Sequence, residues 1–150
     1  MNLINLSRRE MISATSTLAA ASLGAQTTAP SDKIGMAFVG VGGRGTGAVN
    51  QALELGTANV VAVCDVDSNA AERASQIVYR KTNRAPRTVS DFRKLLDDKS
   101  IDALMIATPH HWHSPIAVAA MKAGKDVYVE KPASHVFREG RILVETQQRF

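Results

Sequence analysis

The chain is poor in cysteine, aromatics and blocks of charge. Cys64 is its single cysteine, so no intramolecular disulfide can form. Phe, Trp and Tyr make up 5% of 150 residues, while 45% are hydrophobic and 21% charged. That balance excludes a disordered or collagen-like chain and is enough for one sizeable core. The formal charge of +4 is spread along the sequence. With no basic block and no nucleic-acid motif, a nucleic-acid partner is not expected. Solenoid-spaced repeats are absent, and no low-complexity segment follows residue 31. Cys64 closes an apolar run, which makes it a structural, buried thiol rather than a reactive one.

The N-terminus reads separately from the rest. Paired Arg8 and Arg9 precede a weakly apolar run, Met11 to Ala25, that closes on small residues. This is a secretory signal layout, and the run is too short to span a bilayer. Ser7-Arg8-Arg9-Glu10-Met11-Ile12 resembles a twin-arginine export signal, with Met11 and Ile12 where Phe and Leu are usual. Residues 1–25 are therefore expected to be a removable signal, with a periplasmic or secreted destination and no membrane contact after removal. Without a working signal the destination would be cytoplasmic. Residues 26–33 read as a polar linker.

From residue 34 strand and helix alternate. "IGMAFVG" (34–40) is a short apolar run broken by glycine, as in a buried parallel strand. A helix follows to Gly56, with Ala48, Ala52, Leu53 and Leu55 on its inner side. "NVVAVCDVD" (59–67) is a second strand, after which Asp67 or Ser68 caps a helix through about Tyr79. "RTV" (87–89) is a weak third strand, and Ser90 caps "DFRKLLDD". "IDALMIATP" (101–109) is the strongest strand. Ser114 should cap the next helix, with Pro115 first and Gly124 just past its end. "DVYVE" (126–130) is a fifth strand, and "FREGRILVETQQRF" a last helix with Ile142, Leu143 and Thr146 near one side. Such alternation requires crossovers, hence an α/β fold with a mostly parallel, doubly wound sheet.

Gly40-Val41-Gly42-Gly43-Arg44-Gly45 fits G-x-G-x-x-G between the first strand and its helix. The glycines serve a tight turn, close backbone approach to a diphosphate, and close helix–strand packing. The helix N-terminus offers amides and the positive end of its dipole, and Arg44 adds charge. Asp65, twenty residues beyond Gly45, stands at the end of the second strand, where a ribose-binding acid belongs. An acid there favours NAD over NADP.

"ATPHHWHSP" (107–115) follows the fourth strand. Ligands of open α/β sheets sit beyond the carboxyl ends of the strands. Thr108, Pro109, His110, His111, Trp112 and His113 are thus expected near the nicotinamide half of a cofactor. Three histidines in four residues match no metal-ligand spacing, and no cysteine or paired acid joins them. Packing and helix capping are the plainer roles for Trp112 and His113. At the end of the fifth strand stands Glu130-Lys131-Pro132. Lys131 is placed to bond a substrate hydroxyl and carry its proton, and partial burial would favour its neutral form. Glu130 would orient or balance it. Pro132 fixes the turn, through a peptide bond that is able to be cis. A surface ion pair at a strand end is the plainer reading.

Taken together, "GVGGRGTG", "CDVD", "ATPHHWHSPIAVAAMKAGK" and "VYVEKPASH" resemble the Gfo/Idh/MocA oxidoreductases, most of all exported members related to glucose–fructose oxidoreductase. The resemblance covers residues 33–150. It implies a nicotinamide cofactor and a sugar, cyclitol or polyol substrate. It places the catalytic lysine on Lys131, the dinucleotide loop on Gly40–Gly45 and the ribose acid on Asp65. The Thr-Pro and His-Trp-His segments fall on Thr108-Pro109 and His111-Trp112-His113. His110 departs from the usual Asp or Asn, and Ala133 from the usual Leu. The resemblance further implies a second, substrate-binding domain. The chain ends inside the helix after the fifth strand, so a Rossmann-type domain of residues 34–150, short of the sixth strand and of a complete site, is expected. The fifth strand would then be an exposed edge open to pairing in a homo-oligomer. Three functions follow: a dehydrogenase with Lys131 as proton carrier, a non-catalytic NAD-binding module, and an NAD-assisted glycoside hydrolase on the same scaffold.

Overall fold

A computed structural model describes residues 33–150; the signal and most of the linker expected before them lie outside the described residues. The apolar runs become β1 (Ile34–Val39), β2 (Ala58–Cys64), β3 (Arg87–Val89), β4 (Ala103–Ile106) and β5 (Asp126–Val129). Between and after them run α1 (Gly43–Leu55), α2 (Ser68–Thr82), α3 (Arg93–Leu96), α4 (His110–Lys122) and α5 (Phe137–Arg149). The strands form one sheet in the order β3-β2-β1-β4-β5, and every pairing is parallel. This is the doubly wound, Rossmann-type α/β fold.

Both faces of the central strands are covered, which is why β1 and β2 are apolar without alternation. On one face Phe38, Val60, Val63 and Met105 pack against Val49 of α1 and Ala74 and Val78 of α2. On the other, Ala37, Val39, Leu104 and Ile106 pack against Leu95 of α3 and Ile116, Ala117 and Ala120 of α4. Cys64 lies in this second cluster. Burial foremost, then the neighbouring Asp65 and Asp91 charges, pushes its thiol up to about 12. It is therefore a structural thiol.

The elements differ from their sequence expectations in four places. α2 is capped by Asp67, one of the two residues expected there, whose carboxylate accepts the Asn69 N–H at 2.9 Å, but the helix runs on to Thr82 rather than ending near Tyr79. Ser90 caps nothing, because Asp91 accepts the Arg93 N–H at 3.0 Å and α3 shrinks to one turn. α4 starts at His110 rather than at Pro115 behind a Ser114 cap. Pro109 supplies the extended N-cap backbone, and its carbonyl accepts the Trp112 N–H at 2.9 Å. Pro115 then stands inside the helix and leaves the His111 carbonyl without its helical donor. Leu55, expected inward, is 67% exposed. It sits in the last turn of α1, on the rim of an open groove shared with Met36, Met105 and Tyr128. β5 is the sheet edge beyond β4, and its Tyr128 is exposed.

Candidate functional site

The site begins where β1 stops. The Gly40 N–H donates to the Cys64 carbonyl at 2.8 Å, and Gly40 turns the chain at φ +81°. A side chain there would meet the Thr108 nitrogen at 2.6 Å. At Gly45, a side chain would run into the Gly40 carbonyl oxygen, so the first turn of α1 lies hard against the loop. Gly42 is the opposite case: nothing lies within 4 Å of the space a side chain would take. Neither a side-chain cap nor an acid in the first turn of α1 occupies its leading N–H groups.

Asp65, at the end of β2, is tied to that loop. Its Oδ2 accepts the Val41 N–H at 2.8 Å and its Oδ1 accepts the Asp67 N–H at 3.0 Å. A carboxylate oxygen has a second lone pair, so Asp65 is held rigid while still able to accept from a ligand.

A cleft of about 540 Å³ opens at the carboxyl ends of β1, β2, β3 and β4. Gly40, Gly42, Asp65, Thr108 and Pro109 line it, with His111 and Trp112. Ser90, Asp91, Phe92 and Arg93 complete its wall. These four were missed because β3 is weak in sequence, although the strand-end rule applied to β3 points to them. In the strand order 3-2-1-4-5 the chain reverses between β1 and β4, where such sheets bind ligands. The bare Gly42 backbone, the open α1 N-terminus and the fixed Asp65 carboxylate fit a dinucleotide. So does the Thr108 Oγ1, buried without a hydrogen-bond partner among the described residues.

The Glu130-Lys131-Pro132 segment lies level with Thr108. Ile106 pairs with Val129, and Thr108 and Lys131 each follow two residues later. The Lys131–Pro132 peptide bond is cis. Glu130, however, does not pair with the lysine ammonium. It is 7% exposed, and its Oε1 accepts from Arg44 Nε at 2.8 Å. That bond, foremost, holds the Glu130 carboxyl below the usual range. Arg44 thus joins the glycine loop to β5, with its charge paired to Glu130. Gly43, Arg44, Gly45, Glu130, Lys131 and Pro132 do not line the cleft; Arg44 and Glu130 line the separate groove that holds Leu55 and Tyr128. Lys131 is exposed, contrary to the partial burial expected: among the described residues no element covers its loop.

His113 corrects a further expectation. It does not face the cleft but is 1% exposed behind it. Its ring nitrogens are taken by backbone: Nδ1 is 2.8 Å from the Pro132 carbonyl oxygen and Nε2 is 2.7 Å from that of Thr108.

Residues 34–149 match the Gfo/Idh/MocA oxidoreductase family, NAD-binding Rossmann fold. The chain belongs to that family. It is 34% identical over 150 residues to a glycosyl hydrolase family 109 protein of Stenotrophomonas maltophilia, across 95% of this chain and 33% of that protein. The WlbA dehydrogenase of Bordetella pertussis, solved with NADH and UDP-GlcNAcA, is similar at 27% identity and a TM-score of 0.65, over 78% of this chain and 35% of that one. Myo-inositol dehydrogenase of Lactobacillus casei, solved with NAD(H) and myo-inositol, shares the fold at 24% identity and a TM-score of 0.70, over 79% of this chain and 34% of that one. The chain spans about a third of the length of the relatives it matches.

Proposed function

We propose that residues 34–149 are the cofactor-holding part of a nicotinamide-dependent oxidoreductase of sugars, cyclitols or polyols, with NAD favoured over NADP. One observation carries this reading. The cleft wall at Thr108 and the Lys131 loop leave paired strands at the same level, so the cleft and Lys131 lie at one end of the sheet. Gly40, Gly42, Gly43 and Gly45, with the first amides of α1 and the charge of Arg44, would hold the diphosphate. Asp65 would accept from the ribose hydroxyls, while Thr108 and Pro109 would form the wall beside the nicotinamide. A bound nicotinamide supplies the acceptor or donor of hydride. Lys131 takes the proton of the substrate hydroxyl on oxidation and returns it on reduction. Glu130, anchored by Arg44, and Pro132 fix the start and direction of the loop that carries it.

A second reading is favoured by the 34% identity to glycosyl hydrolase family 109 across 95% of the chain. The two readings share oxidation at a sugar carbon, and the intact Glu130-Lys131-Pro132 favours the dehydrogenase. They differ in whether the electrons are returned before product leaves. We further propose export through the twin-arginine route.

Titrating the chain with NAD, then assaying both hydride transfer over a polyol panel and release of a chromogenic glycoside, separates these readings. Net NADH formation supports the dehydrogenase, and glycoside release without it supports the hydrolase. Binding alone makes this chain a cofactor-holding module. Absence of binding at millimolar NAD sinks the cofactor reading. Lys131→Met, or its equivalent in a full-length relative, should retain cofactor and lose turnover; surviving turnover removes the role given to Lys131.

A further inference from the structure

The histidine behind the cleft has a hydrogen-bond problem that a neutral ring cannot solve. Backbone carbonyls only accept, and both His113 nitrogens face one, at 2.8 and 2.7 Å. A neutral imidazole has a single N–H. Its other nitrogen would present a lone pair to a carbonyl lone pair at bonding distance, in a site that is 1% exposed. Both contacts are hydrogen bonds only when both nitrogens carry protons.

The two acceptors are not equivalent parts of one loop. The Thr108 carbonyl belongs to the segment leaving β4, at the cleft wall, and the Pro132 carbonyl to the segment leaving β5, next to Lys131. β4 and β5 are bonded along the sheet only as far as the Glu130 N–H, which donates to Ile106. Beyond that point, among the described residues, the ring of His113 ties the two segments together.

We propose that His113, as a buried imidazolium, is the positioning residue that sets the Lys131 loop against the Thr108 wall of the cleft. The titratable groups around it follow from the elements packed there. His110 on its own helix meets it edge-on, ring centroids 5.8 Å apart. Lys131 precedes Pro132 on the β5 side. From α5, Glu139 reaches the adjacent Ser114, whose Oγ donates to it at 3.3 Å. β4 contributes backbone only. Among the described residues no carboxylate bonds to the His113 ring, so the charge is held by two carbonyl dipoles. Loss of one ring proton would break one arm of the tie and free the Lys131 loop from the cleft wall.

This inference rests on Lys131 being the proton-carrying group, but its test does not. The chain is labelled with 15N-histidine, and the ring nitrogens of His113 are observed by NMR at pH 7, with His113→Asn used for assignment. Directly bonded protons on both nitrogens are expected. A bare nitrogen on His113 at pH 7 would overturn the proposal. In folded His113→Asn, the amide signals of Lys131 and Ala133 should shift or double, while those of β2 stay in place. If neither loop signal moves, His113 does not position the loop. Should His113→Asn fail to fold, the ring-nitrogen measurement on the unaltered chain decides alone. Failure of the Lys131→Met test would remove the catalytic reading and leave the ring-nitrogen result standing.

Discussion

Arg44 and Glu130 are 86 residues apart in the sequence, yet Arg44 Nε donates to Glu130 Oε1 at 2.8 Å. The bond ties the helix that opens the glycine loop to the strand end that carries Lys131. Arg44 is largely exposed while Glu130 is buried, so the pair is half screened by solvent. Arg44→Gln and Glu130→Gln should each destabilise the chain, and the double variant should lose less than their sum. Because Glu130 is held below the usual carboxylate range, its contribution is present above the unfolded carboxylate pKa. It is lost as pH falls through the folded value. Urea titrations of the double-mutant cycle from pH 7 to pH 3 check this; a coupling that persists at the acid end counts against it.

Gly45 and Gly47 lie two residues apart on α1 with opposite surroundings. A side chain at 45 meets the Gly40 carbonyl, and one at 47 meets nothing within 4 Å. Gly45→Ala should cost about 1–3 kcal/mol through overpacking. Gly47→Ala should stabilise by up to ~1 kcal/mol through helix propensity. Chemical denaturation of both variants measures the difference, and equal effects would contradict the close approach at Gly45.

Asp65→Asn keeps the shape but places an N–H₂ or a weaker acceptor against the Val41 and Asp67 amides. A charge-assisted hydrogen bond is worth ~1.5–3 kcal/mol, so NAD affinity should fall ~10–100-fold. NADP affinity should fall less, since its 2′-phosphate is repelled by the native carboxylate. Calorimetric titration with both cofactors tests this, and an unchanged NAD affinity would remove Asp65 from the site.

Cys64 should be silent to thiol reagents in the folded chain at pH 8 and react fully in denaturant. Its thiol is pushed up to about 12, foremost by burial, so at neutral pH it is protonated in both folded and unfolded chains and the shift leaves stability unchanged. Stability should fall as pH rises from the unfolded value through about 12, where only the unfolded chain ionises freely. Prompt labelling of the native chain would show that Cys64 is accessible after all.

If residues 1–25 direct twin-arginine export, replacing Arg8 and Arg9 together by lysine should leave the protein in the cytoplasm. Cell fractionation reads this directly. Export that continues unchanged would assign the arginine pair another role.

Most of the architecture was written locally and could be read that way. The strand-glycine-helix-strand-acid order from Ile34 to Asp65 appears in the structure in the same sequence, with Asp65 where an acid was expected. The start of α4 was misread because Ser114-Pro115 carries a strong capping pattern. Tertiary placement won: Pro109 provides the N-cap backbone, and the buried His113 reaches back to Thr108. Leu55 looked inward by periodicity, but periodicity does not say where the sheet beneath a helix ends. The Arg44–Glu130 pair and the His113 tie were invisible because each joins segments brought together only by the β1–β4–β5 pairing. Neighbourhood in the chain suggested Glu130 with Lys131; neighbourhood in the sheet joined it to Arg44.

Trp112 is the chain's single tryptophan, is 42% exposed, and stands in the wall of the cleft. The protein therefore carries its own optical gauge. Its emission comes from one ring at one place, so any ligand entering between Gly42 and Pro109 changes the environment of the whole signal. A reduced nicotinamide absorbs where tryptophan emits, and quenching by energy transfer would read out occupancy without a label. The same ring would respond to changes at the start of α4, letting filling of the cleft and movement of its wall be followed together.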